Sequence, residues 1–173
     1  KGKISEPNPN AKSWGIPLKP VSKTYADRVL VAGDAAGFAK PTTGGGIYYA
    51  LISGQMAGRT AAGALENDQL TASELKSYES DWKQVIGKEL RVGYYARMLF
   101  ESMDDAQLER LMGLFLSEGV LRELILSPEF SFDWHSGTIM KTVRHGDLGP
   151  LIRSFGPLVA PFLGRLLRQS VTR

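Results

Sequence analysis

The stretch Val29-Leu-Val-Ala-Gly-Asp-Ala-Ala-Gly-Phe-Ala-Lys-Pro-Thr-Thr-Gly-Gly-Gly-Ile-Tyr-Tyr-Ala50 decides how the rest of the chain is read. Its first four residues are apolar and follow the charged pair Asp27-Arg28. A short apolar run closed by a Gly-Asp turn predicts a buried strand over residues 29–32. Gly33 permits a sharp turn, which leaves Asp34 at the strand's carboxyl end. Open α/β sheets bind their ligands on that side. Pro41, Thr42 and Thr43 read as a loop. Gly44, Gly45 and Gly46 then open a helix, expected over about residues 45–65 and rich in small side chains. Glycines at a helix start let a ligand approach the backbone N–H groups, where the helix dipole adds partial positive charge. A carboxylate and an N–H-rich helix mouth together suit a ligand with hydroxyls at one end and an electron-rich acceptor at the other.

These residues resemble the second flavin-binding motif of the glutathione-reductase-like FAD enzymes, G-D-A-A-x…P-x-x-G-x-G. Within that group the chain is similar to the geranylgeranyl reductase family. Gly37 after Gly33-Asp34-Ala35-Ala36 carries the closer match, with Gly44-x-Gly46-Ile47-Tyr48-Tyr49-Ala50 and Ser53-Gly54. Flavin hydroxylases usually have His where Gly37 stands. Gly45 departs from the family, which often has a larger residue there. The resemblance spans residues 16–62 and continues faintly through residues 78–93. It implies FAD as cofactor, with Gly33, Asp34, Ala35, Pro41, Gly44, Gly45, Gly46 and Ile47 around it. Asp34 would meet the ribityl chain, the N–H groups of Gly46 and Ile47 the pyrimidine end of the flavin, and Pro41 the ring pocket wall. It also implies an isoprenoid lipid substrate whose double bonds are reduced.

Members of such families hold the pyrophosphate on a G-x-G-x-x-G turn. This sequence has no such turn, and the family's aromatic and proline-containing substrate motif is missing. The expectation is the C-terminal part of a longer flavoprotein, whose N-terminal part is a partner in the site. The chain alone is then expected to retain no tightly bound FAD and to be inactive.

Composition is that of an ordinary globular protein, with 43% hydrophobic and 23% charged residues. There is no cysteine, which excludes disulfides and thiolate metal sites. Two histidines, His135 and His145, stand without ligand-like spacing, so no metal site is expected and both read as surface or half-buried residues. Charge is uneven. Residues 1–66 carry a net of +4, residues 67–140 a net of −6 and residues 141–173 a net of +5. The basic residues are not interleaved with aromatics as in a nucleic-acid module, so nucleic acid is not expected as a partner. A cytoplasmic location is expected, with a peripheral membrane contact through Arg153, Arg165, Arg168 and Arg173 of the apolar tail. The alternative for that tail is that its large apolar residues close the helical core.

Residues 1–13 are polar and look extended, and Pro17 and Pro20 forbid a helix or a central strand. Residues 25–28 read as a turn feeding the strand. Thr71-Ala-Ser-Glu74 is a capping-box pattern. A stripe follows at helical spacing: Leu75, Tyr78, Trp82, Val85, Glu89, Val92, Ala96, Leu99 and Met103. It predicts one long helix, kinked at Gly87 and Gly93. Glu89 is its single charge. Either it faces a substrate cavity, or the buried face drifts to Ile86 and Leu90 and leaves Glu89 in water beside Lys88. Ser102 or Asp104 caps a helix over residues 105–116. Short helices are expected over residues 119–126 and 138–143, with an aromatic cluster at residues 130–135. Tyr94, Tyr95, Met98, Phe100, Met112 and Phe115 are either tunnel lining for a prenyl chain or ordinary core.

The expected fold is α+β and predominantly helical. Residues 1–66 would be the C-terminal piece of a flavin-binding domain and residues 67–173 a helical substrate domain. Two other functions stay open. One is a flavin monooxygenase or halogenase using the same motif. The other is a helical membrane-surface or interaction module without catalysis.

Overall fold

The computed structural model describes residues 14–117, 122, 125–128 and 130–145. Two short strands come first, β1 (Tyr25–Ala26) and β2 (Val29–Leu30), then a 3-10 turn (Gly33–Ala36). Five helices follow among the described residues: α1 (Ile47–Glu66), α2 (Ala72–Val85), α3 (Gly87–Glu101), α4 (Asp105–Ser117) and α5 (Ser136–His145). The molecule is predominantly helical with one small sheet. The basic tail and most of the helix expected over residues 119–126 lie outside the described residues.

The buried strand expected over residues 29–32 is not formed. β2 is two residues long and pairs antiparallel with β1, Tyr25 opposite Leu30 and Ala26 opposite Val29. Residues 25–28 are therefore a strand and a hairpin turn, with Arg28 at a positive φ of 59°. Val29 is 47% exposed. The Val31 N–H still donates to the Thr24 carbonyl at 2.8 Å, and the strand stops because beyond it side chains, not a neighbouring strand, satisfy the backbone. Tyr78 Oη donates to the Val31 carbonyl at 2.8 Å, and the Gly33 N–H donates to Ser53 Oγ at 3.0 Å. Every buried peptide group needs such a partner. Here helices α2 and α1 supply it. Leu30, Val31 and Ala32 still pack against the core, so the apolar run is explained by contact with helices.

The stripe of large residues forms two helices. Its buried members are Leu75, Tyr78 and Trp82 on α2 and Glu89 and Val92 on α3, with Ile86 and Leu90 buried beside them. The helix breaks at Ile86, immediately before Gly87, and the buried face widens to take in Ile86 and Leu90 while Val85 is 44% exposed. Gly93 produces no break: α3 runs through it. Its hydrogen instead admits Pro41, whose Cδ would lie 3.2 Å from a methyl group placed on Gly93. Phe38 stacks on Trp82 with ring centroids 4.6 Å apart. Tyr49 of α1 joins the same cluster, so one core unites α1, α2, α3 and the loop after β2. Burial of each large side chain there contributes about 1.5–3 kcal/mol.

The caps differ in one instructive way. Of the two cap candidates for α4 it is Asp104 that serves, in a reciprocal pair with Gln107, each side chain accepting the other's backbone N–H at 2.8 and 2.9 Å. Thr71 occupies the cap position of α2 but makes no side-chain bond to the helix. Its hydroxyl donates to Glu74 instead, and Asp27 of the hairpin turn accepts the Ala72 N–H at 2.6 Å. The hydroxyls of Ser73 and Thr71 hold the Glu74 carboxyl below its usual range. A residue 45 positions away thus takes the acceptor role that the local pattern assigns to Thr71.

Candidate functional site: the glycine-rich mouth of α1

Two glycines with positive φ shape the turn after β2. Gly33 (φ 58°) comes so close to α1 that a methyl group on it would lie 3.1 Å from Ala50 Cβ. Gly37 (φ 75°) lies under the extended segment before β1. A methyl group there would collide with the Lys19 carbonyl oxygen and stand 3.0 Å from Pro20 Cα. Positive φ and backbone contact both require glycine. Between them the chain turns tightly, with the Gly37 and Phe38 N–H groups donating to Asp34 O and Gly33 O. Asp34 is left exposed on the outside of this turn, while Ala36, Gly37 and Phe38 are buried.

The loop at residues 40–46 then folds back to the same place. The Lys40 N–H donates to Gly45 O at 2.9 Å, and the Gly44 N–H to Lys40 O at 2.7 Å. α1 begins at Ile47 with Gly46 as its cap residue, and no side chain caps it. The first N–H groups of a helix have no partner inside the helix. Asp34 stands immediately beside this mouth, because a methyl group on Gly46 would run into Asp34 Oδ1. The Asp34 carboxylate thus stands directly beside the N-terminus of α1. A cavity of about 370 Å³ opens there, lined by Lys40, Gly45, Gly46, Ile47, Tyr48, Leu51 and Asp133.

One side of the mouth is built by distant sequence. Lys40 Nζ reaches Asp133 Oδ1 at 2.7 Å and the Phe132 carbonyl at 3.0 Å. Thr42 Oγ1 and His135 Nδ1 lie 2.6 Å apart, and His135 Nε2 is 2.9 Å from the Phe132 carbonyl. Tyr49 Oη donates to the Asp133 carbonyl at 2.9 Å. Burial, with the carboxylates of Glu89 and Asp133, raises the Tyr49 phenol far above its ordinary range, so it stays protonated as a donor. Burial likewise pushes Tyr78 up to about 12, a Ser53 hydrogen bond working against it. Trp134 packs edge-on to Tyr48 at 5.8 Å. The segment at residues 130–136 is thus held by three hydrogen bonds to the glycine loop and by Tyr48 and Tyr49 of α1.

No protein-family model matches the sequence. Curated relatives do. The chain is 38% identical over 109 residues to digeranylgeranylglycerophospholipid reductase 2 of Methanopyrus kandleri, covering 62% of this chain and 28% of that protein. It is 41% identical over 101 residues to digeranylgeranylglycerophospholipid reductase of Methanocaldococcus jannaschii, covering 58% and 26%. The crystal structure of a geranylgeranyl bacteriochlorophyll reductase-like protein from Thermoplasma acidophilum superposes with a TM-score of 0.60 at 20% identity, over 82% of this chain and 33% of that one. The matched part of this chain is similar to members of the geranylgeranyl reductase family. It spans about a quarter of the length of the two curated relatives.

Against the geranylgeranyl reductase motif, Gly33, Asp34, Gly44, Gly45, Gly46 and Ile47 gather around the turn and the α1 mouth, with Ala35 exposed beside Asp34. Pro41 is buried, with its ring against Gly93 and its carbonyl 3.4 Å from Arg97 Nη1. Gly45, where the family often has a larger residue, has a local reason to be small. A methyl group there would stand 3.2 Å from Lys40 Cε, in the path Lys40 takes to Asp133. Glu89 takes neither of its expected places. It is buried and binds the first residue of α5: Glu89 Oε2 accepts the Ser136 N–H at 2.8 Å, and Oε1 accepts the Ser136 hydroxyl. Tyr94 and Tyr95 line a different cavity, at the α2–α3 junction. Phe100 and Met112 are exposed, and the Phe115 side chain lies outside the described residues. His135 is half-buried, in agreement with expectation, and no metal-ligand cluster occurs among the described residues. Sequence reasoning missed Lys40, Asp133 and the Thr42–His135 contact. Their partners are 92 or 93 residues apart, and no local spacing could announce them.

Proposed function

We propose that this chain supplies one half of the cofactor site of a flavin-dependent reductase that saturates double bonds of an isoprenoid lipid. The observation that carries the reading is the Asp34 carboxylate set directly against Gly46 at the uncapped mouth of α1. The residues present fit FAD. Asp34 is exposed and free to accept a ribityl hydroxyl, and Gly46 leaves backbone N–H groups approachable at the positive end of α1. When bound, the flavin supplies the hydride for reducing a carbon–carbon double bond, and the protein positions and tunes it. The N–H groups of Gly46 and Ile47 stabilise negative charge at the helix mouth. Lys40, half-buried beside them and paired with Asp133, adds a fixed cation at the rim. Gly37 favours the reductase over the hydroxylase reading, because a histidine there would collide with the Lys19 backbone. The names of the relatives motivate the substrate class.

A charge-assisted hydrogen bond from a ribityl hydroxyl is worth about 1.5–3 kcal/mol. Asp34→Ala, made in a polypeptide that joins this chain to a pyrophosphate-binding half, is expected to weaken FAD binding by more than about tenfold. Flavin retention through gel filtration measures it. Full retention of flavin by the variant would remove Asp34 from the site.

A further inference from the structure

A second cavity, of about 330 Å³, lies between the extended segment at residues 19–21 and the junction of α2 with α3. Three cations line it, Lys19, Lys83 and Arg91, together with the rings of Trp82, Tyr94 and Tyr95. Among the described residues no carboxylate is in its wall. Helical spacing explains the convergence: positions 83, 87, 91 and 94 share one face, carried across the break at Ile86. Gly87 keeps that face open, since only Lys83 carbons approach the space above it. Lys83 is partly neutralised by Glu79. Lys19 sits over the Tyr94 ring at 5.8 Å, and among the described residues neither it nor Arg91 has an ion-pair partner.

We propose that this cavity binds a phosphate group, and that the group is the head of a prenyl phosphate or prenyl phospholipid. Lys19 and Arg91 share this cavity without a paired carboxylate, and a bound phosphate takes up their free donors, accepting a forked pair of N–H bonds from Arg91. The aromatic wall offers apolar surface next to the charge, which suits an anion attached to a hydrocarbon chain and not a bare ion. The phosphate assignment rests on the cavity alone. The prenyl assignment rests on the proposed reductase function.

The test is calorimetric titration of the full chain with farnesyl phosphate, farnesol and inorganic phosphate at low and physiological salt. Farnesyl phosphate is expected to bind at least about tenfold more tightly than farnesol, and more weakly as salt rises. Lys19→Gln and Arg91→Gln each reduce that affinity about tenfold. Arg91→Lys retains most of it, and the control Arg59→Gln, exposed on α1, leaves it unchanged. Equal binding of farnesol and farnesyl phosphate, or full affinity in Lys19→Gln and Arg91→Gln, overturns the proposal. Inorganic phosphate binding as tightly as farnesyl phosphate, with the same sensitivity to the variants, leaves a free-phosphate site and overturns the prenyl part. Asp34→Ala leaves phosphate binding intact, so failure of the flavin reading is separable from failure here.

Discussion

Glu89→Ala tests the tie between α3 and α5. Glu89 and Ser136 are 8% and 3% exposed, so neither can turn to water for a replacement bond. The substitution strips the acceptor from the Ser136 N–H and from its hydroxyl together. The hydroxyl can rotate to another acceptor. The N–H cannot, because it is fixed at the first turn of α5, where no intrahelical partner exists. An unsatisfied buried donor costs about 1–3 kcal/mol, and loss of a helix cap about 1 kcal/mol, with overlap between the two. Glu89→Ala is therefore expected to cost about 2–4 kcal/mol. For a chain of this size that lowers Tm by about 5–12 °C. Glu89→Gln keeps one acceptor and avoids the desolvated charge, so its expected cost is about 1–2 kcal/mol. Ser136→Ala keeps the N–H bond and is expected to cost about 1 kcal/mol. Urea unfolding of both single variants and the double variant gives the coupling, expected to be at least about 1 kcal/mol. Strict additivity, or a Glu89→Ala variant within about 0.5 kcal/mol of the parent, would refute the assignment of Glu89 as the α5 cap.

Gly37→Ala places a methyl group against the Lys19 carbonyl at a φ of 75°, and the backbone strain alone is about 1–2 kcal/mol. With the collision added, a total loss above about 3 kcal/mol is expected in urea unfolding, and a loss confined to the strain term would show that the Lys19–Pro20 segment moves aside freely. Glu79 governs the acid limb of stability. Burial raises its carboxyl, but hydrogen bonds from Lys83 and Thr24 outweigh this and hold it below the usual range. A depressed folded-state pKa means stabilisation fully present above the unfolded value of about 4.3 and lost as pH falls through the lower folded value. Glu79→Gln is expected to flatten the stability profile below about pH 5; an acid limb as steep as the parent's would assign it to other carboxylates.

Much of the α1 mouth was legible from residue order because its chemistry is local. Gly33, Asp34, Gly37 and Gly46 lie within 14 consecutive positions, and the turn that joins them closes on short-range backbone bonds. Helical spacing likewise announced Leu75, Tyr78 and Trp82 as one buried face, since side-chain direction follows from a 3.6-residue period. Strand length was not legible. An apolar run does not say whether a neighbouring strand or a helix will cover it, and here Tyr78 and Ser53 terminated what looked like a strand at Val31 and Gly33. Only tertiary structure decided the partners of Glu89, Asp27 and Lys40. Each is a polar side chain whose bond closes a loop of more than 40 residues, and such a bond depends on the packing that brings the two ends together. The sequence by itself therefore determined the α1 mouth, through glycines and a carboxylate held at short range, while folding in three dimensions determined what leans against it.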